Sequence, residues 1–196
     1  MRFFIVSLVL IRLASPALST AQPLTIFAAT STLPVMTAIQ SLWLTQSGSI
    51  KLRVVHGSSG ALARQITAGA PADVYISANP KWIEHLIQNK KADPITRQII
   101  LENKLVLIAP ANAKPVKIKR LSSDIPEILA NRGRLVLGDP RHVPAGQYAK
   151  EVLLRLGIWK QVNAMTVHTN NVRLALALVQ RSEAALGIVY HTDARN

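Results

Sequence analysis

The sequence has no cysteine among its 196 residues. This absence argues against a disulfide framework, a thiolate metal site and a lipid anchor on an N-terminal cysteine. The histidines never stand three or four residues apart, the spacing at which two histidines on one helix face bind a metal ion. They are His56, His85, His142, His168 and His191. We therefore expect neither a metal site nor a cofactor.

Acidic residues are also few. Ten Asp and Glu stand against 23 Lys and Arg, which gives a formal net charge of +13. Such an excess suits a protein that binds nucleic acid, a small anion or an acidic partner. The densest basic run is KPVKIKR at 114–120, and no aromatic residues are interleaved with it for base stacking. A nucleic-acid-binding module is therefore the weaker alternative, and we expect no nucleic acid as a partner.

Long hydrophobic runs are missing as well. The longest, from Phe3 to Ile11, is well short of the roughly 20 residues that a membrane-spanning helix needs. It follows a basic start and precedes the small residues Ala17, Ser19 and Ala21, a pattern typical of an export signal. We expect residues 1–21 to be a signal peptide and the mature protein to be free in the periplasm.

Catalytic motifs are absent from any context that would support them. The chain shows no Ser-His-Asp order, no carboxylate pair and no phosphate-binding loop. The serine pair Ser58-Ser59 has no base near it in sequence except His56, which we interpret as the end of a strand. The sequence therefore favours a binding protein over an enzyme.

Strands and helices alternate along the chain from residue 24, which predicts an α/β fold with mainly parallel sheets. Apolar runs predict strands at 24–30, 51–57, 73–78, 104–110, 134–139, 164–169 and 187–193. Helices are predicted between them, including one from Ile95 to Leu101 and one capped by Ser122 or Ser123 with Pro126 in its first turn. We place a first domain at 22–103 and a second at 104–196.

Four strand-to-helix junctions share one form. Helices are expected to start at Ser31, at Ser58 or Ser59, around Ala145 in the Pro-Ala-Gly segment, and at Val172 after Asn171. The carboxyl ends of parallel strands meet at one sheet edge, so these helix starts gather there if two sheets face each other. Each helix start carries about half a positive charge, and four together approach about +2. The pattern predicts a site for a dianion that needs no lysine or arginine.

Hydroxyl groups supply further donors at the same places. Ser31, Ser59 and Tyr190, the last at the end of the final strand, can all donate hydrogen bonds. A site made of donors suits an oxyanion that is fully deprotonated near neutral pH. Each serine or asparagine taken singly is explained as well by ordinary helix capping, so the hypothesis depends on their occurring together.

Several strings of the sequence resemble a known family. They are TIFAATST, GSSGALARQITAGAPADVYIS, KWIEHLI, GDPRHVPAGQYAKEVLLRLG, NNVRLALALVQ and LGIVY. The chain is similar, from about Leu24 to Asp193, to the periplasmic molybdate-binding proteins of ABC uptake systems, the ModA family. The resemblance implies a hinged, two-domain fold of the type II periplasmic-binding-protein kind. It also implies that the protein binds molybdate or tungstate and hands it to a membrane permease.

The resemblance also implies a set of ligand contacts. They are the hydroxyls of Ser31 and Ser59, the backbone N–H groups of Ala145 and Val172, and the phenol of Tyr190. Molybdenum would enter only as the oxyanion, without a direct protein ligand, and a monomer is expected.

Two departures from the family pattern stand out. Thr30 occupies a position where the family often has a small apolar residue. Family members continue beyond the segment that matches GIVYHTDA, with a strand that returns to the first domain and a closing helix. We expect this C-terminal part to be missing here, which leaves a truncated remnant without activity as an alternative.

Overall fold

Two separate β-sheets organise the computed structural model, which describes residues 22–46, 50–115 and 117–195. The predicted signal peptide, residues 1–21, lies outside these ranges. We call residues 22–103 the first half and residues 104–195 the second half, since each contains one of the two sheets. The domain boundary itself stays a prediction. No helix within the described ranges is long and apolar enough to cross a membrane.

The first half is built from three strand–helix pairs. They are β1 (Leu24–Ala29) and α1 (Leu33–Gln46), β2 (Leu52–Gly57) and α2 (Ser59–Thr67), and β3 (Val74–Ile76) and α3 (Pro80–Gln88). The strands are parallel in the order β2-β1-β3. Ala29 pairs with Gly57 at the last position of the register. The carboxyl ends of β1 and β2 therefore lie side by side, and the segments that follow them begin at one edge of the sheet.

The second half contains a four-stranded sheet. In chain order its elements are β4 (Leu105–Ile108), α4 (Leu121–Arg132), β5 (Leu135–Gly138), α5 (Pro144–Arg155), α6 (Trp159–Asn163), β6 (Thr166–Thr169), α7 (Val172–Gln180) and β7 (Leu186–Tyr190). The strand order is β4-β7-β5-β6, parallel except for the antiparallel pair β4 and β7. The predicted α/β class with mainly parallel sheets is confirmed.

The core of the second half covers both faces of its sheet. Leu135 and Leu137 of β5 pack into one apolar cluster, whereas Val136 between them packs into another on the opposite face. All three are 0% exposed. A strand buried on both faces has a continuous apolar sequence, which explains why the run LVLG was recognised as a strand.

The predicted helix from Ile95 to Leu101 is wrong. The structure has only a short 3-10 turn at Pro94–Thr96, and residues 97–104 have no regular structure. The apolar side chains of this stretch are between 58% and 89% exposed; they are Ile95, Ile99, Ile100 and Leu101. A short helix in water gains most of its stability from packing an apolar face, and most of the apolar surface of this segment stays exposed.

The predicted start of α4 is also wrong. The helix begins at Leu121, and neither Ser122 nor Ser123 caps it. The carboxylate of Asp124 instead accepts hydrogen bonds from the backbone N–H groups of Lys119 and Arg120, at 2.6 and 2.9 Å. Asp124 thus holds the two amides that precede the helix, so the first turn starts ahead of both serines, and Pro126 lies inside the helix. Helix α6 was not predicted because five residues are too few to show a helical period.

Candidate functional site

A small cavity lies where the carboxyl ends of the two sheets face each other. Its walls come from both halves of the molecule, and the lining residues are Ala29, Thr30, Ser31, Gly57, Ser58, Ser59, Ala78, Val143, Pro144, Ala145, Asn171, Val172 and Tyr190. The five residues predicted to contact a ligand are all among them. The cavity volume is about 10 Å³, close to the minimum that holds one water. Any occupant must therefore be compact.

Two helix starts of the second half lie in the cavity wall, and amides of a first turn have no partner within their own helix. Pro144 is the first residue of α5 and has no N–H, so Ala145 carries the first donor of that helix. In α7 the Asn171 side chain accepts from the N–H of Leu174 at 3.0 Å. The N–H of Val172, in the first turn, has no partner within its own helix. Both amides are available to an anion, with the positive helix ends behind them.

Ser58 and Ser59 have different roles at the start of α2. Ser58 is the N-cap, and its Oγ lies 3.4 Å from the N of Ala61. Ser59 is 0% exposed, and its Oγ accepts a hydrogen bond from the N–H of Ala78 at 3.0 Å. That bond uses an oxygen lone pair, so the Ser59 hydroxyl still has a proton that it can donate to another acceptor.

Ser31 lies in a 3-10 turn, Thr30–Thr32, that connects β1 to α1. α1 begins at Leu33, two residues after the predicted start at Ser31, and the 3-10 turn before it has no side-chain cap. Thr32 instead donates its hydroxyl to the carbonyl of Ala29 at 2.7 Å. Within the described residues the Ser31 hydroxyl makes no hydrogen bond, which leaves it available at the cavity wall.

Tyr190, the last residue of β7, presents a buried hydroxyl to the cavity. The residue is 5% exposed, and its phenol oxygen has no hydrogen-bond partner in the described part of the chain. Burial raises the pKa of Tyr190 above its usual value, so the phenol stays protonated and acts as a donor. A buried hydroxyl without a partner costs about 1–3 kcal/mol. Such a group at a cavity points to a ligand that satisfies it.

Thr30 is a second buried hydroxyl of the same kind, and sequence reasoning did not assign it to the site. Its Oγ1 is buried and unpartnered among the described residues, and the residue lines the cavity. The sequence marked Thr30 only as a departure from a small apolar residue. Its position next to Ser31, at the end of a strand that leads to the site, was the signal that could have identified it.

The positive potential of the site comes from helix dipoles and from hydroxyl and amide groups. No charged side chain is found among the described residues that line the cavity. Over the described ranges, no three His, Asp or Glu side chains are grouped as a metal ion would require. The arrangement offers hydroxyl and amide donors, with helix starts behind them, and this chemistry suits a small anion.

Among the described residues, three hydrogen bonds beside the cavity join the two halves, and a fourth, from the Asn103 side chain to the Thr192 hydroxyl at 2.7 Å, joins them elsewhere. His142 uses its carbonyl oxygen to accept from the N–H of Gly60 at 3.0 Å, and its Nδ1 lies 2.9 Å from Ser58 Oγ. Asn79 donates its side-chain N–H to the Gln147 amide oxygen at 3.0 Å. Gly60 makes this approach possible, because a Cβ there would lie 2.5 Å from the Trp82 ring and 2.6 Å from the His142 oxygen.

Comparison with known proteins relates this chain to bacterial solute-binding proteins. Residues 24–196 match the model of a family described as bacterial extracellular solute-binding proteins. The chain is 44% identical over 181 residues to the molybdate-binding protein ModA of Escherichia coli K12, an alignment that covers 92% of this chain and 70% of that protein. It is 38% identical over 171 residues to the molybdate-binding protein ModA of Haemophilus influenzae, covering 87% of this chain and 67% of that protein.

Solved structures show the same fold. The periplasmic molybdate-binding protein of Azotobacter vinelandii superposes with a TM-score of 0.71 at 28% identity, covering 85% of this chain and 71% of that one. The sulfate-binding protein SubI of Mycobacterium tuberculosis also reaches 0.71, at 17% identity, covering 89% of this chain and 66% of that one. At this identity, the similarity to the sulfate-binding protein shows a shared fold and nothing more.

Proposed function

Because the chain belongs to the ModA family of bacterial extracellular solute-binding proteins, we propose that it captures molybdate or tungstate for an ABC transporter. The family assignment made from the sequence strings is confirmed by these relatives. The observation that carries the proposal is the cavity between the two sheets, which is lined by hydroxyls and helix-start amides and has no charged side chain in its wall.

The proposed contacts are those predicted from the sequence. The hydroxyls of Ser31, Ser59 and Tyr190 and the N–H groups of Ala145 and Val172 donate to the oxyanion. The positive ends of the helices balance its two negative charges, at about half a charge for each helix start. All five residues line the cavity, which supports all five proposed contacts. The unpartnered phenol supports the contact of Tyr190 independently. We add Thr30 as a sixth contact on the same ground.

Selectivity follows from the donor chemistry of the wall. Ser59 and Tyr190 have protons to offer, and the raised pKa of Tyr190 keeps its phenol neutral through physiological pH. A fully deprotonated tetrahedral oxyanion accepts at every oxygen, whereas a protonated one presents an O–H that needs an acceptor. This donor chemistry disfavours protonated phosphate, whereas sulfate, like molybdate, is fully deprotonated near neutral pH.

Further parts of the proposal come from the family. We place the protein in the periplasm, exported by the signal peptide 1–21 and without a lipid anchor, where it delivers its ligand to a membrane permease. We further propose that it is a monomer, has no cofactor, binds no nucleic acid and catalyses no reaction. The relatives favour this role over the two alternatives, a basic nucleic-acid-binding module and an inactive remnant.

Thermal unfolding of the purified full chain with a series of oxyanions tests the proposal. At a ligand concentration of about 100 times Kd, binding adds about 2.7 kcal/mol, which raises Tm by about 5–10 °C for a protein of this size. We expect this shift with molybdate and tungstate, and little change with equal sulfate or phosphate. A cooperative transition that no oxyanion moves would contradict the proposal. A chain without a cooperative transition would support the inactive remnant, and salt-sensitive DNA binding would support the nucleic-acid alternative.

A further inference from the structure

We propose that hydrogen bonds of His142 hold the two halves of the molecule together beside the cavity and thereby set the residence time of a bound ligand. The residue lies in the loop between β5 and α5, in the second half, and both of its hydrogen bonds described above go to the start of α2 in the first half. The part of this inference that concerns ligand residence depends on the proposed function.

Two separate atoms of His142 make the connection. Its carbonyl oxygen accepts from Gly60, and its Nδ1 is hydrogen-bonded to the hydroxyl of Ser58. The imidazole is largely buried, with 16% of the side chain exposed, and Ser58 is 5% exposed. Hydrogen bonds shielded from water in this way are stronger than exposed ones. One residue thus joins the two halves through both its backbone and its side chain.

The loop that carries His142 is itself held in place. The carbonyl of Asp139 accepts from the N–H groups of His142 and Val143, at 3.1 and 2.8 Å. The Asp139 carboxylate accepts from the backbone and the guanidinium of Arg141. Because these hydrogen bonds fix the loop, the His142 imidazole loses little conformational freedom when the halves come together. Its contact with Ser58 is therefore preorganised.

The position of these bonds links them to the ligand. Ser58 immediately precedes Ser59, and His142 stands three residues before Ala145. Each bond therefore connects a residue close to the proposed contact Ser59, in the first half, with a residue close to the proposed contact Ala145, in the second half. Separating the halves to release a ligand requires breaking both bonds. Changes in contacts that exist only in the closed state act mainly on dissociation rates.

Stopped-flow measurements of molybdate release from the full chain test this role. We expect His142→Ala to speed dissociation about three- to tenfold, the range for loss of one hydrogen bond, with association changed much less. His142→Asn, whose amide reaches the position of Nδ1, is expected to restore a slower rate. His85→Ala is the matched control, because His85 pairs with the Thr67 hydroxyl at 3.3 Å within the first half. Its release rate should equal that of the wild type.

A second measurement needs no ligand. The chain has no cysteine, so spin labels can be placed at Lys91→Cys in the first half and Glu127→Cys in the second, both exposed. We expect His142→Ala to shift the distance distribution toward longer separations, and His85→Ala to leave it unchanged. If wild type binds no oxyanion, the proposed function fails, and the label distances alone decide the role of His142. If release and distances are both unchanged in His142→Ala, the role of His142 is overturned.

Discussion

Ser59 Oγ lies 3.0 Å from the backbone N of Ala78, and both residues line the cavity. The hydroxyl therefore satisfies a backbone donor just after the third strand of the first sheet, and in the proposed function it also donates its proton to the ligand. Substitutions at this position are expected to change both stability and affinity, in contrast to substitutions at hydroxyls that have no partner in the protein.

For Ser59→Ala we expect a loss of both properties. The Ala78 N–H is left unpaired, which lowers the free energy of unfolding by about 1–3 kcal/mol. Molybdate affinity falls about ten- to hundredfold because a hydrogen bond to a charged group is lost. Urea unfolding and isothermal titration calorimetry measure the two effects. Ser41→Ala on the exposed side of α1 is the control and should change neither. Unchanged affinity in Ser59→Ala would contradict the proposed contact.

Tyr190→Phe should separate affinity from stability. The phenol has no partner in the described part of the chain, so its removal leaves nothing unpaired and the ligand-free protein should be as stable as the wild type or more so. Affinity for molybdate should still fall about tenfold or more. Melting curves with and without molybdate measure both quantities. A ligand-free Tm that drops by several degrees would show instead that the hydroxyl has a structural partner.

Thr30→Val tests the contact that sequence reasoning did not assign. Valine keeps the shape of threonine without the hydroxyl, so we expect weaker molybdate binding, by about tenfold, at unchanged or higher ligand-free Tm. Thr32→Val is the matched control two residues away, since Thr32 donates to the Ala29 carbonyl. It should lower Tm with affinity nearly unchanged. Equal affinity of Thr30→Val and wild type would remove Thr30 from the site.

Asp139 is expected to make an acid-sensitive contribution to the free energy of unfolding. Hydrogen bonds from Arg141 lower the pKa of Asp139 from 3.8 to about 2. Because the folded pKa lies below the unfolded one, the contribution is present above about pH 4 and is lost as the pH falls toward about 2. It amounts to at most about 2 kcal/mol, since the Arg141 side chain is 87% exposed and water weakens the pair. Urea unfolding of wild type and Asp139→Asn across this range measures it. The difference between the two proteins should shrink as the pH falls, whereas a constant difference would exclude the linkage.

Burial raises the pKa of Asp193, which gives a pH dependence of the opposite sign. This residue is unchanged in both proteins, so its contribution cancels from the comparison at Asp139 if the two sites act independently. The remaining difference then reports on Asp139 and its bonds to Arg141.

The parts of the site that sequence could predict are those encoded by neighbouring residues. Pro144 before Ala145 and Asn171 before Val172 are local signals of a helix start, and the structure has helices beginning there. Ser58 and Ser59 were both recognised at such a start, but their roles could not be separated. The amide that pairs with Ser59 is 19 residues away in sequence, and local patterns contain no information about it.

The errors have the same origin. Thr30 became a candidate contact only when its hydroxyl proved to be buried without a partner among the described residues, which depends on packing from both halves. The apolar residues between Ile95 and Leu101 suggested a helix, but their exposure shows that the described fold offers no surface for its apolar face. Likewise, Ser122 and Ser123 have the right residue type for a cap, but the helix begins before them at Leu121, where Asp124 binds the two preceding amides.

Pro144 has a consequence for how the loop between β5 and α5 can vary. Since proline contributes no amide, the first donor that the helix presents to the cavity is fixed by counting residues from the end of the strand. Insertion or deletion of one residue in this loop would rotate a different amide into place and move His142 relative to Ser58. Relatives that bind the same anion are therefore expected to tolerate exchanges of side chains in this loop much more readily than changes in its length.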